Sequence, residues 1–195
     1  MTKFQQPILV AVNNRHVHLS EQDSYKLFGD NYKLSIKRPL SFNAFASKET
    51  VALEYNGCKI DNVRVVGPYR SYTQVEILES DSYMLYKEKA PSRMSGDISD
   101  SFGIDIIGPK GRITLEQGVI VAQSHAHLNN IDTKYFGVRD GDAVRVNING
   151  KTLDDVIVSE SPTARTSVHI DVDVARSLGV YDRTIIGMLY FTRRC

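Results

Sequence analysis

Cysteine is nearly absent from the chain: Cys58 and Cys195 are the only two, far apart and one of them terminal. That excludes a disulfide framework, and both are expected to be free thiols. Net charge is nearly absent too. The 24 Lys plus Arg against 23 Asp plus Glu give no electrostatic case for nucleic acid or an anionic membrane as partner. No apolar run approaches the roughly 20 residues of a membrane span, and the N-terminal stretch "MTKFQQPILVAV" is too short for a secretory signal. A cytoplasmic protein is expected. No low-complexity linker and no phosphate-cradling glycine loop occurs. Histidine is scarce at five residues, and its placement is the most informative feature of the chain.

What is present is mostly strand. "PILVAV" reads as a buried strand. "TVALEYNGCKIDNVRVVG" reads as a hairpin around Asn56-Gly57, "FGIDIIGPKGRITLE" as another around 108–111, and "AVRVNINGKTLDDVIV" as a third around Asn149-Gly150. Short helices lie between: "SEQDSYKLFG", with Ser20 as N-cap and Gly29 as stop, then "DSYMLYKEK" and "DVDVARSLG". Many short strands with frequent glycine turns favour small barrels over a parallel sheet.

Four of the five histidines fall in two pairs, His16 and His18 in "RHVHLS" and His125 and His127 in "SHAHLN". The segments "HVHLSEQDSYKLFG" and "HAHLNNIDTKYFG" match through His-x-His-Leu, an Asp five places on (Asp23, Asp132), and Phe-Gly. Further on, "YTQVEI" matches "RTSVHI", placing Glu76 opposite His169. The chain is therefore an internal repeat, and a mainly β fold of two small pseudo-twofold-related β-barrel domains with short helices is expected. Residues 14–120 should form one barrel and 121–195 the other. Because the halves match only from the histidine pairs onward, the strand at 6–13 is free to pack with the second.

On an extended strand, residues two apart share a face, so each His-x-His is a clamp of two imidazoles. Gln74 and Glu76 share a face, as do Ser167, His169 and Asp171. A lone pair of this kind is weak evidence, and Glu76 or His169 alone reads as an ordinary strand residue. Their equivalence in the repeat makes both favoured ligands. Two imidazoles plus a carboxylate, and three imidazoles, are each zinc sets that leave a fourth position open. Asp23, Asp132 and Ser20 read as helix-start residues.

Five stretches, "VNNRHVHLS", "VVGPYRSYTQVEI", "APSRMSGDISDSFGIDIIGPKGRITLEQGVIVA", "FGVRDGDAVRV" and "SVHIDVDVARSLGV", together resemble the propanediol-utilisation-type phosphotransacylases, or phosphate propanoyltransferases. The resemblance covers nearly the whole chain. It implies a two-barrel fold holding two zinc ions or similar divalent metals, one on His16, His18 and Glu76 and one on His125, His127 and His169. It implies the reaction acyl-CoA plus phosphate to acyl phosphate plus CoA, with an acetyl or propanoyl group and coenzyme A as substrate, in propanediol degradation. It also makes Arg70 the catalytic phosphate contact. A guanidinium fork suits phosphate oxygens, and an uninterrupted strand would carry Arg70 and Glu76 to one face. Arg15 and Arg93 are lesser candidates for the phosphate.

The chain departs from that family pattern at Ser124 and at Leu128-Asn129, which leaves the ligands intact and alters their surroundings. Members of that family sent into bacterial microcompartments usually carry an amphipathic N-terminal extension, whereas here the first strand begins almost at once, so a freely cytoplasmic enzyme is expected over an encapsulated one. No residue is singled out as a CoA contact, and a homo-oligomer is left open. Two other classes stay open: a non-catalytic zinc-stabilised barrel that binds a small molecule or partner, and a metal-dependent hydrolase.

Overall fold

The computed structural model describes residues 3–40 and 43–192, so Cys195 lies outside the described residues. The elements run β1 (Lys3–Asn13), β2 (His16–His18), α1 (Glu21–Phe28), β3 (Ile36–Pro39), β4 (Phe45–Tyr55), β5 (Cys58–Gly67) and β6 (Gln74–Ile77). They continue through α2 (Glu79–Tyr86), β7 (Ser92–Arg93), β8 (Phe102–Ile107), β9 (Arg112–Ala122) and β10 (His125–Leu128). The last are α3 (Asn130–Phe136), β11 (Ala143–Ile148), β12 (Lys151–Glu160), β13 (Ser167–Asp171), α4 (Val172–Ser177) and β14 (Thr184–Thr192). Among the described residues, no helix is long and apolar enough to cross a membrane.

The fold is mainly β, and the chain forms two compact units. One spans Arg15–Ala122; the other joins the chain up to Asn14 with Gln123 onward. The second of these is a closed barrel ordered β1-β13-β10-β12-β11-β14. Strands β9-β6-β2-β5-β4-β8 close the first in the same way, since β8 pairs with both β4 and β9. Each parallel or antiparallel pairing in one barrel has its counterpart in the other.

Strand alternation builds each core. Val17 and Leu19 point inward with Val75, Ile77, Val119 and Val121, while the histidines between them point out. Ile8 and Val10 likewise join Ala126, Leu128, Val168 and Ile170 in the other core. The hairpins at Asn56-Gly57 and Asn149-Gly150 carry positive φ at both central residues, 47° and 77°, then 52° and 78°, the geometry their Asn-Gly pairs favour. Ser20 caps α1 by accepting from the Asp23 N–H at 3.1 Å. Asn129 does the same for α3 at Ile131 and Asp132.

The repeat extends further upstream than the sequence match, because the first strand of each repeat is exchanged. β1, which leads into β2, is in the barrel of β10–β14; β9, which leads into β10, is in the barrel of β2–β8. The register is the same in both cases. Ala11, five residues before His16, pairs with His169, and Ile120, five before His125, pairs with Glu76. One residue earlier in each strand, Val10 and Val119 are both fully buried, whereas Ala11 is half-buried and Ile120 fully buried. In each barrel a strand, β6 or β13, separates the histidine strand from the exchanged one. A two-residue link returns a chain onto its immediate neighbour and not across an intervening strand, so the exchange follows from the short links at 14–15 and 123–124.

A consequence can be measured. Val10 is fully buried, and Val10→Asp puts a carboxylate into that core at a cost of several kcal/mol. Hydrogen exchange is expected to rise through β10–β14, far away in sequence, and to change little in β2–β6. Loss confined to β2–β6 would contradict the exchange.

Candidate active site

Each barrel presents three ligand-type side chains on its outer face. In one barrel His16 lies directly opposite Glu76 across β2 and β6, with His18 two residues on. In the other His125 lies opposite His169 across β10 and β13, with His127 two residues on. Within each set, the candidate ligand atoms all lie within 4.8 Å of one another. The His16 and His18 Nε2 atoms are 3.1 Å apart, and Glu76 Oε2 is 3.4 Å from His16 Nε2. The His125 and His127 Nε2 atoms are also 3.1 Å apart. Ligand atoms at ~2.0–2.1 Å around a tetrahedral zinc stand about 3.3 Å from one another, so the 3.1 Å spacing of each His-x-His pair suits such an ion, with the third donor of each set within 4.8 Å of the pair.

Hydrogen bonds fix the usable ring nitrogens. His18 Nδ1 donates to the Val66 carbonyl at 3.2 Å and His125 Nδ1 to the Gln123 carbonyl at 2.8 Å, leaving each Nε2 with its lone pair. Ser167 Oγ lies 3.3 Å from His169 Nε2, and the Asn13 amide nitrogen 3.3 Å from His169 Nδ1.

Electrostatics favour the ligating forms. The His18 imidazole is pushed down to about 3, by burial first and then by His16, against the opposing pull of Glu76. His127 is pushed down to about 4, by burial and then by His125. Burial works to raise the Glu76 carboxyl, but His16, His18, the Ser95 hydroxyl and the Arg70 guanidinium together hold it below the usual range. At neutral pH the His18 and His127 rings are neutral and Glu76 is a carboxylate.

These shifts set a pH dependence. The unfolded chain takes up the two histidine protons near pH 6.5, whereas the folded chain resists them down to about 3 and 4. In that window the unfolded state binds more protons, so stability of the metal-free protein falls as pH drops below about 6.5. For His18 the slope is at most about 1.4 kcal/mol per pH unit, and His127, more exposed, contributes less. Urea midpoints of chelator-treated protein at pH 7 and pH 5 are the check. An unchanged midpoint would mean that the rings are not held neutral.

Arg70 is placed by its backbone rather than by a continuous strand. The uninterrupted strand expected over 70–76 is replaced by a turn between β5 and β6, because Pro68 and the following loop break the ladder. The Arg70 N–H donates to the Leu19 carbonyl at 2.9 Å, and a single bridge pairs Arg70 with Ser20. Its guanidinium still reaches the first ligand set: Nη2 donates to His18 Nε2 at 2.9 Å, and Nη1 to Ser95 Oγ at 3.2 Å. Arg15 Nε instead meets Asp81 Oδ2 at 2.6 Å, beside the start of α2. Arg93 Nε lies 3.7 Å from Asp97 Oδ2. Leu128 is fully buried and Asn129 caps α3, so the departure at Leu128-Asn129 has structural duties.

Two contributors went unassigned in the sequence reading. Ser95, on an exposed loop, donates to Glu76 Oε1 at 2.6 Å. Gln74, fully buried, donates to the same oxygen at 2.8 Å. The parity of β6 places Gln74 beside Glu76, but no periodicity marks Ser95, 19 residues downstream of Glu76 in a loop. Asp23 and Asp132, read as helix-start residues, also accept from Thr73 and Thr166, three residues before Glu76 and His169.

Comparison with known proteins gives the family. The family model described as phosphate propanoyltransferase matches residues 9–181. Phosphate propanoyltransferase of Thermotoga maritima is 41% identical over 175 residues, covering 87% of this chain and 83% of its own. That of Shewanella putrefaciens is 37% identical over 195 residues, covering 97% and 92%. That of Limosilactobacillus reuteri is 40% identical over 176 residues, covering 88% and 81%. Through a match that spans both barrels and both ligand sets, the chain belongs to the phosphate propanoyltransferase family and is an acyl-transferring enzyme.

Proposed function

We propose that the protein transfers a short acyl group, acetyl or propanoyl, between coenzyme A and inorganic phosphate. His16, His18 and Glu76 would hold one zinc ion, and His125, His127 and His169 another. The observation that carries this reading is the guanidinium of Arg70, 2.9 Å from His18 Nε2, beside a donor set spaced for a metal with an open position.

Bound zinc would supply Lewis acidity for the thioester carbonyl or the departing thiolate. The rest of the chemistry falls to the chain. Arg70 offers paired N–H donors and a permanent charge to the phosphate oxygens, fixing the nucleophile's position and direction. A phosphate oxygen then forms the new C–O bond as the C–S bond breaks, and the phosphate proton ends on the CoA sulfur. Neutral His18 and Glu76 as carboxylate are the forms that would ligate the ion, and the Arg70 guanidinium supplies the positive charge that draws the phosphate anion. A free Cys58 suits a reducing compartment, and we place the enzyme in the cytoplasm.

The test is to mix purified protein with acetyl-CoA or propanoyl-CoA and follow free thiol with and without phosphate. Phosphate-dependent release of thiol, with acyl phosphate formed in equal amount, is expected. Release that ignores phosphate would make the protein a thioester hydrolase, and no release from metal-loaded protein would leave a binding protein.

A further inference from the structure

Gln74 is an unusual residue to find at zero exposure in a strand, and each polar atom of its amide is used. Its oxygen accepts from the Gly96 N–H at 2.8 Å and from Arg70 Nη1 at 3.5 Å. Its nitrogen donates to Glu76 Oε1 at 2.8 Å and to Ser95 Oγ at 3.2 Å. Amide oxygen and nitrogen are easily confused, but here the neighbours decide. A backbone N–H and a guanidinium only donate, and an ionised carboxylate only accepts, so the opposite orientation would set like against like at both ends.

The consequence falls on Glu76. Its Oε1 receives two donors, Gln74 Nε2 at 2.8 Å and Ser95 Oγ at 2.6 Å. Its Oε2 lies 3.4 Å from His16 Nε2, nearer than Oε1 stands to His18 Nε2, at 3.7 Å. We propose that Gln74 is the positioning residue of the first ligand set, occupying Glu76 Oε1 so that Oε2 alone serves the metal while its own oxygen steadies Arg70. One side chain thereby ties the metal ligand and the phosphate contact to the loop at 95–96. The other barrel has a different arrangement at the matching place: Ser167 stands two residues before His169, its hydroxyl 3.3 Å from that ring. An imidazole carries no carboxylate oxygen to be held away from the metal, so the longer amide is needed only where the third ligand is a carboxylate.

This inference rests on the metal reading above, and its test separates the two. Gln74→Met keeps the length and bulk of the side chain and removes all four contacts. Cobalt(II) is used as the probe, with affinity measured by chelator competition and site geometry read from the visible absorption. Loss of an outer partner of a ligand typically weakens metal binding 10–100-fold. Gln74→Met is expected to bind one of two cobalt ions that much more weakly, with an altered spectrum, and to raise KM for phosphate more than it lowers kcat. Gln74→Glu, which presents oxygen to Glu76 in place of N–H, should weaken that ion at least as much. Parental affinity and spectrum together with an unchanged KM for phosphate would overturn the proposal. If Gln74→Met does not fold, Ser95→Ala on its exposed loop carries the same test: a smaller loss at the same ion supports the proposal, and parental affinity overturns it. His16→Ala run in parallel distinguishes the failures. If it too keeps both cobalt ions, the metal reading is wrong; if it loses one while the Gln74 and Ser95 variants do not, only the role of Gln74 is wrong.

Discussion

Arg70→Ala is expected to keep its fold and its metal while losing turnover by two to three orders of magnitude. Arginine is not a ligand in either set, and its backbone contacts to Leu19 and Ser20 survive the substitution. What disappears is the charged pair of donors for the phosphate. Removing one preorganised donor to a developing charge typically lowers turnover by about 10²–10³, at about 1.4 kcal/mol per tenfold. The truncation also frees His18 Nε2 from its donor, so metal affinity should hold or rise. Arg70→Lys should recover a fraction, keeping charge but losing the planar fork. The measurement is phosphate-dependent thiol release alongside metal analysis of the same preparation. Parental turnover with an unchanged demand for phosphate would remove Arg70 from the mechanism and send the search to Arg15 or Arg93. Of these, Arg15 is already engaged with Asp81 at 2.6 Å.

The two donor clusters were legible in the sequence because they depend on the simplest regularity of a strand, the alternation of faces. His16 and His18, or His125 and His127, had to project together once their intervening residues were apolar, and Val17 and Ala126 are indeed fully buried. The repeat supplied Glu76 and His169, and the cross-strand register sets each opposite the first histidine of its pair. Arg70 was reached only through resemblance to a family, and the strand argument attached to it does not hold. Its position depends on a turn whose path is set by tertiary contacts with Leu19 and Ser20. Ser95 was invisible for a similar reason, since loops carry no period. The exchange of β1 and β9 lay in between. The sequence left the first strand free to join either barrel, and what decides the matter is a register, Ala11 on His169 and Ile120 on Glu76, that no pattern of residue types records.

That register gives the two donor clusters separate supports, and single substitutions within them should separate the two proposed ions. Metal analysis of the parent protein should approach two zinc or similar ions per chain, because the structure offers two three-donor sets of matching geometry. His16→Ala leaves one imidazole and the Glu76 carboxylate in the first set, and His127→Ala leaves His125 and His169 in the second. Each loss removes a direct bond, so the affected ion should weaken by more than the 10–100-fold seen for outer partners, and each variant should purify with about one ion. Both should lose acyl transfer, but for different reasons. With His16→Ala the phosphate contact at Arg70 loses the metal beside it, so higher phosphate should restore little. With His127→Ala the Arg70 site is untouched, and phosphate should still protect the first set against chelators. Neither substitution should unfold its barrel, since His16 and His127 project away from the cores formed by Val17 and Ala126. Metal content near zero in a metal-replete parent would sink the two-ion reading. Two ions retained in both variants would mean that the metal is held elsewhere.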